Sequence, residues 1–120
     1  MKKILVVDDE SSLRKGIAMA LRSKGYMALE AEDGAAGLDL AINHKPDLII
    51  SDVYMDNMNG FVMVESLKED PETAHIPVIM MTSAAQGAGA WKSEIAVDYL
   101  EKPFQMPKLM EVVERILSGK

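Results

Sequence analysis

Five short apolar runs, separated by segments of helical spacing, constrain this chain more than any other feature. Alternating strand and amphipathic helix is the signature of β-α-β units, which pack as a mostly parallel sheet covered by helices. The runs are Ile4 to Val7, Met27 to Ala31, Leu48 to Ser51, Val78 to Thr82 and Val97 to Glu101. The first, third and fourth are nearly continuous in apolar residues, as expected of central strands buried on both faces. Ser11 or Ser12 is placed to cap a first helix in which Leu13, Ile17, Ala20 and Leu21 recur at helical intervals, and Gly25 suits its left-handed end. Asp33-Gly34 opens a second helix with Leu38, Ala41 and Ile42, closed by Lys45-Pro46. Asn59-Gly60 precedes a third with Phe61, Val64 and Leu67, which stops near Asp70-Pro71. The last helix runs from about Pro107 through Leu109, Val113, Ile116 and Leu117. From Ser83 to Ala96, Gly87 and Gly89 accompany little regular apolar spacing, which predicts a short or irregular fourth helix.

Length and charge narrow the function classes. A chain of 120 residues holds one core, and no linker or repeat divides it, so residues 1–120 are read as a single domain. With 13 basic and 19 acidic residues the formal charge is −6, which argues against direct nucleic-acid binding, since phosphate contacts require clustered Lys and Arg. No cysteine is present, which excludes disulfides, thiolate metal sites and cysteine nucleophiles. The apolar runs fall far short of the roughly 20 residues a membrane helix needs. Met1-Lys2-Lys3 is followed by only four apolar residues before Asp8, too few for a signal peptide, so the cytoplasm is the expected address.

In a parallel sheet the strand C-termini share one edge, and ligands bind in the crevice where strand order reverses. Asp8, Asp9 and Glu10 follow the first strand, Asp52 follows the third, Thr82 ends the fourth, and Lys102-Pro103 follows the fifth. If the first and third strands are neighbours, several carboxylates converge beside one hydroxyl and one ammonium. Like charges in one crevice raise each other's pKa, so such a cluster calls for a cation. Hard oxygen ligands in an open site favour Mg²⁺. A carboxylate beside Mg²⁺ can act as a nucleophile toward phosphorus, giving an aspartyl phosphate, with Lys102 and Thr82 stabilising charge on the transferred group.

Ile4 to Glu10 (ILVVDDE), Asp47 to Asp52 (DLIISD), Met55 to Gly60, Val78 to Ser83 (VIMMTS) and Tyr99 to Phe104 (YLEKPF), taken together and in this order, resemble the receiver domain of bacterial two-component response regulators. The resemblance covers essentially the whole chain. It implies a flavodoxin-like α/β fold, a doubly wound five-stranded parallel sheet of order 2-1-3-4-5. It implies Asp52 as phosphoacceptor, Asp9, Asp52 and the Tyr54 backbone carbonyl as Mg²⁺ ligands, and Asp8 assisting through water. Thr82 and Lys102 would contact the phosphoryl group, Thr82 and Tyr99 would form the switch, and the Lys102-Pro103 peptide bond would be cis. The implied partners are a sensor histidine kinase or histidine phosphotransfer protein, and a downstream effector protein or an effector domain absent from this chain. The domain would be a monomer or a phosphorylation-dependent dimer, without direct contact to nucleic acid or membrane. It would not be an enzyme beyond its own Mg²⁺-dependent phosphorylation and dephosphorylation.

The chain departs from the family pattern where many receivers have Pro four residues after the phosphoacceptor, since Asp56 stands there. Two positions that tune phosphate lifetime in the family are here Tyr54 and Ala84. The spacing from Thr82 to Tyr99 is shorter than usual, which bears on the output face that the family builds from its fourth helix, fifth strand and last helix. An aspartyl phosphatase would need a second acid two residues after the nucleophile, where this chain has Tyr54. A flavin or nucleotide domain would need a Gly-, Ser- or Thr-rich loop after the first strand, where three acids stand instead. A receiver-like interaction module that does not use phosphorylation stays open as the alternative. Taken alone, Asp8-Asp9 would be an acidic helix-capping loop, Lys102 a solvated lysine, and Tyr99 a half-buried strand residue. His44 and His75 carry no chemistry in this reading. The ten Met residues are read as core filler, and Trp91 in the fourth segment either packs against the sheet edge, the favoured reading, or belongs to a partner-binding patch.

Overall fold

Leu48 to Ile50 are β-branched or leucine side chains, and a run of that kind is stable only where both faces of the strand are covered. In the computed structural model every residue of this strand is buried, and it lies at the centre of the sheet. The structure describes residues 1–53, 55, 57–83 and 98–119. Among these, the elements are β1 (Lys3–Val7), α1 (Ser11–Ser23), β2 (Met27–Ala31), α2 (Gly34–His44), β3 (Leu48–Asp52), α3 (Gly60–Lys68), β4 (Val78–Ser83), β5 (Asp98–Lys102) and α4 (Met106–Leu117). The five strands are parallel in the order β2-β1-β3-β4-β5, as expected.

The continuous apolar runs are explained by two cores. Ile4 and Val6 of β1, with Ile50, Ile79 and Met81, pack against Ile17 and Leu21 of α1 and Leu109 and Val113 of α4. Leu5 and Val7, with Ile49 and Met80, pack on the other face against Met63, Val64 and Leu67 of α3. Alternate residues of one strand thus serve opposite cores, so Ile4 to Val7 and Leu48 to Ile50 are apolar on both faces, and polar residues enter β3 only at its C-terminal end, Ser51 and Asp52. Met63, Met80, Met81 and Met110 are buried and fill core space, but Met1, Met19 and Met27 are exposed and do not. Among the described residues, no helix is long and apolar enough to cross a membrane.

Helix ends follow local chemistry, with one correction. Asp33 caps α2 by accepting the Ala36 amide at 2.8 Å, and Asn59 caps α3 by accepting the Val62 amide at 2.9 Å. Lys45 takes the left-handed conformation that ends α2, and Gly25 (φ 92°) lies just past the end of α1. Ser11 and Ser12, however, do not cap α1; they are its first helical residues, and Glu10 holds the cap position without a side-chain cap bond. The reason is that Asp8 Oδ1 accepts the Glu10 amide at 2.9 Å, while the Glu10 carbonyl accepts the Arg14 amide at 3.0 Å, so the helix starts a residue early.

Several strands also run further than their apolar residues. β3 continues through Asp52, β4 through Ser83 and β5 through Lys102, because each polar residue stays in register with a neighbour: Asp52 with Met81, and Ser83 with Lys102. α3 ends at Lys68, two residues short of Asp70. The expected irregular helix, with Ala84, Gly87, Gly89 and Trp91, falls on residues 84–97, outside the described residues, as do Tyr54 and Asp56.

Candidate functional site

β1 pairs with β2 on one side and β3 on the other, so the chain order reverses between β1 and β3. Val7 is level with Ser51, which sets Asp8 beside Asp52 at the C-terminal edge. Asp8 is fully buried; its Oδ1 accepts the Glu10 amide, and its Oδ2 accepts a hydrogen bond from Lys102 Nζ at 3.2 Å. The same ammonium lies 3.4 Å from Asp52 Oδ1, an oxygen that also accepts the Val53 amide at 2.9 Å. Asp9 is exposed at the mouth. Asp8, Asp9 and Asp52 each bring a carboxylate oxygen within 4.8 Å of the other two.

The electrostatics follow from that crowding. Burial, then the neighbouring Asp8 charge, push the Asp52 carboxyl above the usual carboxylate range against the opposing pull of Lys102 and the Val53 amide. Burial pushes Lys102 down, but the Asp8 and Asp52 carboxylates together outweigh it and leave its ammonium above the usual lysine value. One ammonium thus pairs with two of the three converging carboxylates, and the group keeps an excess of negative charge facing an open mouth. An all-oxygen donor set with that excess fits a hard divalent cation of the Mg²⁺ kind.

The other expected residues sit around this group. Thr82 is buried on β4, one residue beyond Met81, the partner of Asp52. The Lys102-Pro103 peptide bond is cis. Glu10, Leu13, Lys102, Pro103 and Phe104 line an open cavity of about 440 Å³ beside the ammonium. Tyr99 stands three residues before Lys102, level with Met80 and half-buried against the α3-side core. The Tyr54 carbonyl lies outside the described residues.

Three features escaped sequence reasoning. Asn57 (φ 70°) donates from Nδ2 to Asp33 Oδ2 at 2.7 Å, and the Gly34 amide donates to the Met58 carbonyl at 3.0 Å, which ties the loop after β3 to the start of α2. The Ala36 amide and then Asn57 hold the Asp33 carboxyl below the usual range. Arg14 donates to the Asp8 carbonyl at 2.9 Å. Gly60 is the third: its amide donates to the Val53 carbonyl at 2.8 Å, and a Cβ there would stand 2.4 Å from the Asp52 carbonyl oxygen and 3.0 Å from Met80 Cε. An Asn-Gly pair before a helix was legible as a cap, but the close approach to Asp52 needed the fold. Gly60→Ala is expected to destabilise the domain by about 1–3 kcal/mol in urea titration, because backbone rather than a flexible side chain must move.

Comparison with known proteins supplies a family. The model of the response regulator receiver domain matches residues 4–114. Protein PilH of Pseudomonas aeruginosa is 36% identical over 121 residues, covering 99% of this chain and 100% of PilH. The DNA-binding dual master transcriptional regulator RpaA of Synechocystis is 34% identical over 119 residues; the alignment covers 98% of this chain and 49% of RpaA, so the chain spans about half the length of that relative. The solved signal receiver domain of a signal transduction histidine kinase from Syntrophus aciditrophicus has a TM-score of 0.90 and 32% identity, covering 99% of this chain and 92% of that one. With the five strands in receiver order and the acidic group at their C-terminal edge, this chain belongs to the family of response regulator receiver domains, the signalling modules of two-component systems.

Proposed function

We propose that residues 1–120 form one phosphoacceptor domain, in which Asp52 takes a phosphoryl group from a phosphohistidine of a sensor kinase or phosphotransfer protein. The observation that carries this reading is one ammonium, Lys102 Nζ, at 3.2 and 3.4 Å from two carboxylates that converge with a third. Asp8, Asp9 and Asp52 would hold Mg²⁺, with the Tyr54 carbonyl added on family resemblance. When bound, the metal supplies positive charge that offsets the carboxylates and the phosphoryl oxygens.

In the transfer, a bond forms between an Asp52 carboxylate oxygen and phosphorus while the phosphorus–nitrogen bond of the donor breaks. The electron pair leaves with the imidazole, which takes a proton from solvent. The acyl phosphate brings more negative charge than the carboxylate it replaces into a place beside fully buried Asp8, so it needs the cation and Lys102 to offset it. Lys102 turns from its carboxylates toward the phosphoryl oxygens, where its fixed charge stabilises the transition state. The Thr82 hydroxyl binds another phosphoryl oxygen, and its movement lets Tyr99 settle inward, shifting the population of a protein-docking surface. The domain turns over only its own phosphate and works in the cytoplasm. Its output goes to an effector protein or an effector domain outside this chain, with the receiver monomeric or dimeric on phosphorylation.

Intact mass spectrometry after incubation with acetyl phosphate tests this. One phosphoryl group gained in Mg²⁺ and lost in EDTA is the expected result. A chain that binds Mg²⁺ and a partner, but gains no mass and forms no beryllofluoride complex, would instead be an interaction module that does not use phosphorylation.

A further inference from the structure

Arg14 sits where charge alone would not put it. A guanidinium bonded to the main chain of Asp8, one of the three converging acids, adds positive charge beside a site read as holding a cation, so its presence calls for a geometric reason. The side chain is only 12% exposed and uses two donors at once: Nε to Glu30 Oε1 at 3.1 Å, and Nη1 to the Asp8 carbonyl at 2.9 Å. Glu30 lies on β2, in register with Val6 of β1. From the same strand the Ala31 carbonyl accepts the Asp8 amide at 3.1 Å. The main chain of Asp8 is thus held at its N–H by Ala31 of β2 and at its C=O by Arg14 of α1, itself anchored on Glu30 of β2. That carbonyl shares one rigid plane with the amide nitrogen and Cα of Asp9. Asp9 is exposed, so core packing does not place it, and the orientation of this peptide does.

We propose that Arg14, anchored on Glu30, is a positioning residue that fixes the Asp8–Asp9 peptide and so aims the Asp9 carboxylate at the cation site. The proposal rests on the reading of Asp8, Asp9 and Asp52 as Mg²⁺ ligands. Glu30 also meets two further cations, Arg22 at 3.6 Å and Lys15 at 4.0 Å. Arg22 is the natural control. It pairs with the same glutamate and donates to the Ala28 carbonyl at 2.9 Å, away from Asp8, so its loss changes the charge equally but leaves the Asp8–Asp9 peptide held.

Calorimetric titration of the whole chain with MgCl₂ at fixed ionic strength, beside melting curves, separates the possibilities. Arg14→Gln is expected to weaken Mg²⁺ binding about tenfold, the usual size of a lost outer contact to a metal ligand. Arg14→Lys, which keeps the charge but replaces the planar fork with one compact ammonium, is expected to weaken it too, and it decides the matter alone if Arg14→Gln does not fold. Arg22→Gln is expected to bind as wild type. Binding by the Arg14 variants at or tighter than wild type would overturn the proposal, and so would an equal loss in Arg22→Gln that tracks its melting temperature. If wild type itself bound no Mg²⁺, or Asp9→Asn bound it unchanged, the reading of the metal site would fail and the proposal with it.

Discussion

Asp52→Asn is expected to gain no phosphoryl group from acetyl phosphate, and in EDTA to melt at a higher temperature than wild type. The first outcome follows from removing the only nucleophile the reading provides, since an amide oxygen does not form the acyl phosphate. The second follows from geometry. Asp8 and Asp52 share a single ammonium, and Asp52 is held charged in a buried place beside a fully buried carboxylate. Asparagine keeps the shape and an oxygen for the Val53 amide, removes the repulsion, and leaves Lys102 to Asp8 alone. A gain of about 1 kcal/mol corresponds to roughly 3–6 °C in a domain of this size. Melting curves with and without Mg²⁺ check the pairing: wild type is expected to rise on adding the metal, and the variant to rise far less. A variant that melted lower than wild type in EDTA would mean that the lost ion pair outweighs the lost repulsion.

Lys102→Ala is expected to act in the opposite sense on stability and to slow phosphoryl uptake by about 10²–10³-fold, the usual loss for one charged donor aimed at a transition state. Two buried carboxylates would lose their shared cation, at a cost of about 1–3 kcal/mol in metal-free buffer. Mg²⁺ is expected to bind this variant more tightly than wild type, because the competing ammonium is gone. Lys102 and Arg14 are both basic and both next to Asp8, yet their removal is expected to move Mg²⁺ affinity in opposite directions. Titration of the two variants side by side reads charge competition against peptide positioning directly.

The strands of this domain were legible because burial on two faces writes itself into the chain as unbroken Val, Ile and Leu, as in Ile4 to Val7 and Leu48 to Ile50. Helix caps were legible where one side chain does the work alone, as at Asp33 and Asn59. The cap of α1 was misread, since Ser11 and Ser12 carry the usual signal but Asp8 had already taken the Glu10 amide. That competition depends on where Asp8 points, and a sequence does not record it.

The same division runs through the site. Asp8, Asp9, Asp52, Thr82 and Lys102 could be picked out because each falls at the C-terminal end of a strand, and strand ends are set by local pattern. Their convergence to within 4.8 Å for the three acids, and the sharing of one ammonium, depend on which strands are neighbours and in what register. Arg14 and Glu30, sixteen residues apart, and Asp33 and Asn57, twenty-four apart, carry no local pattern at all. By itself the sequence determined which residues are strand, helix and strand end, because propensity and burial act within a few neighbours. The family resemblance carried the order in which those ends meet, but only the tertiary structure decided their register and distances, which carboxylate is buried and which faces the mouth, because hydrogen bonds and charge pairs between elements exist only once the sheet has closed their distances.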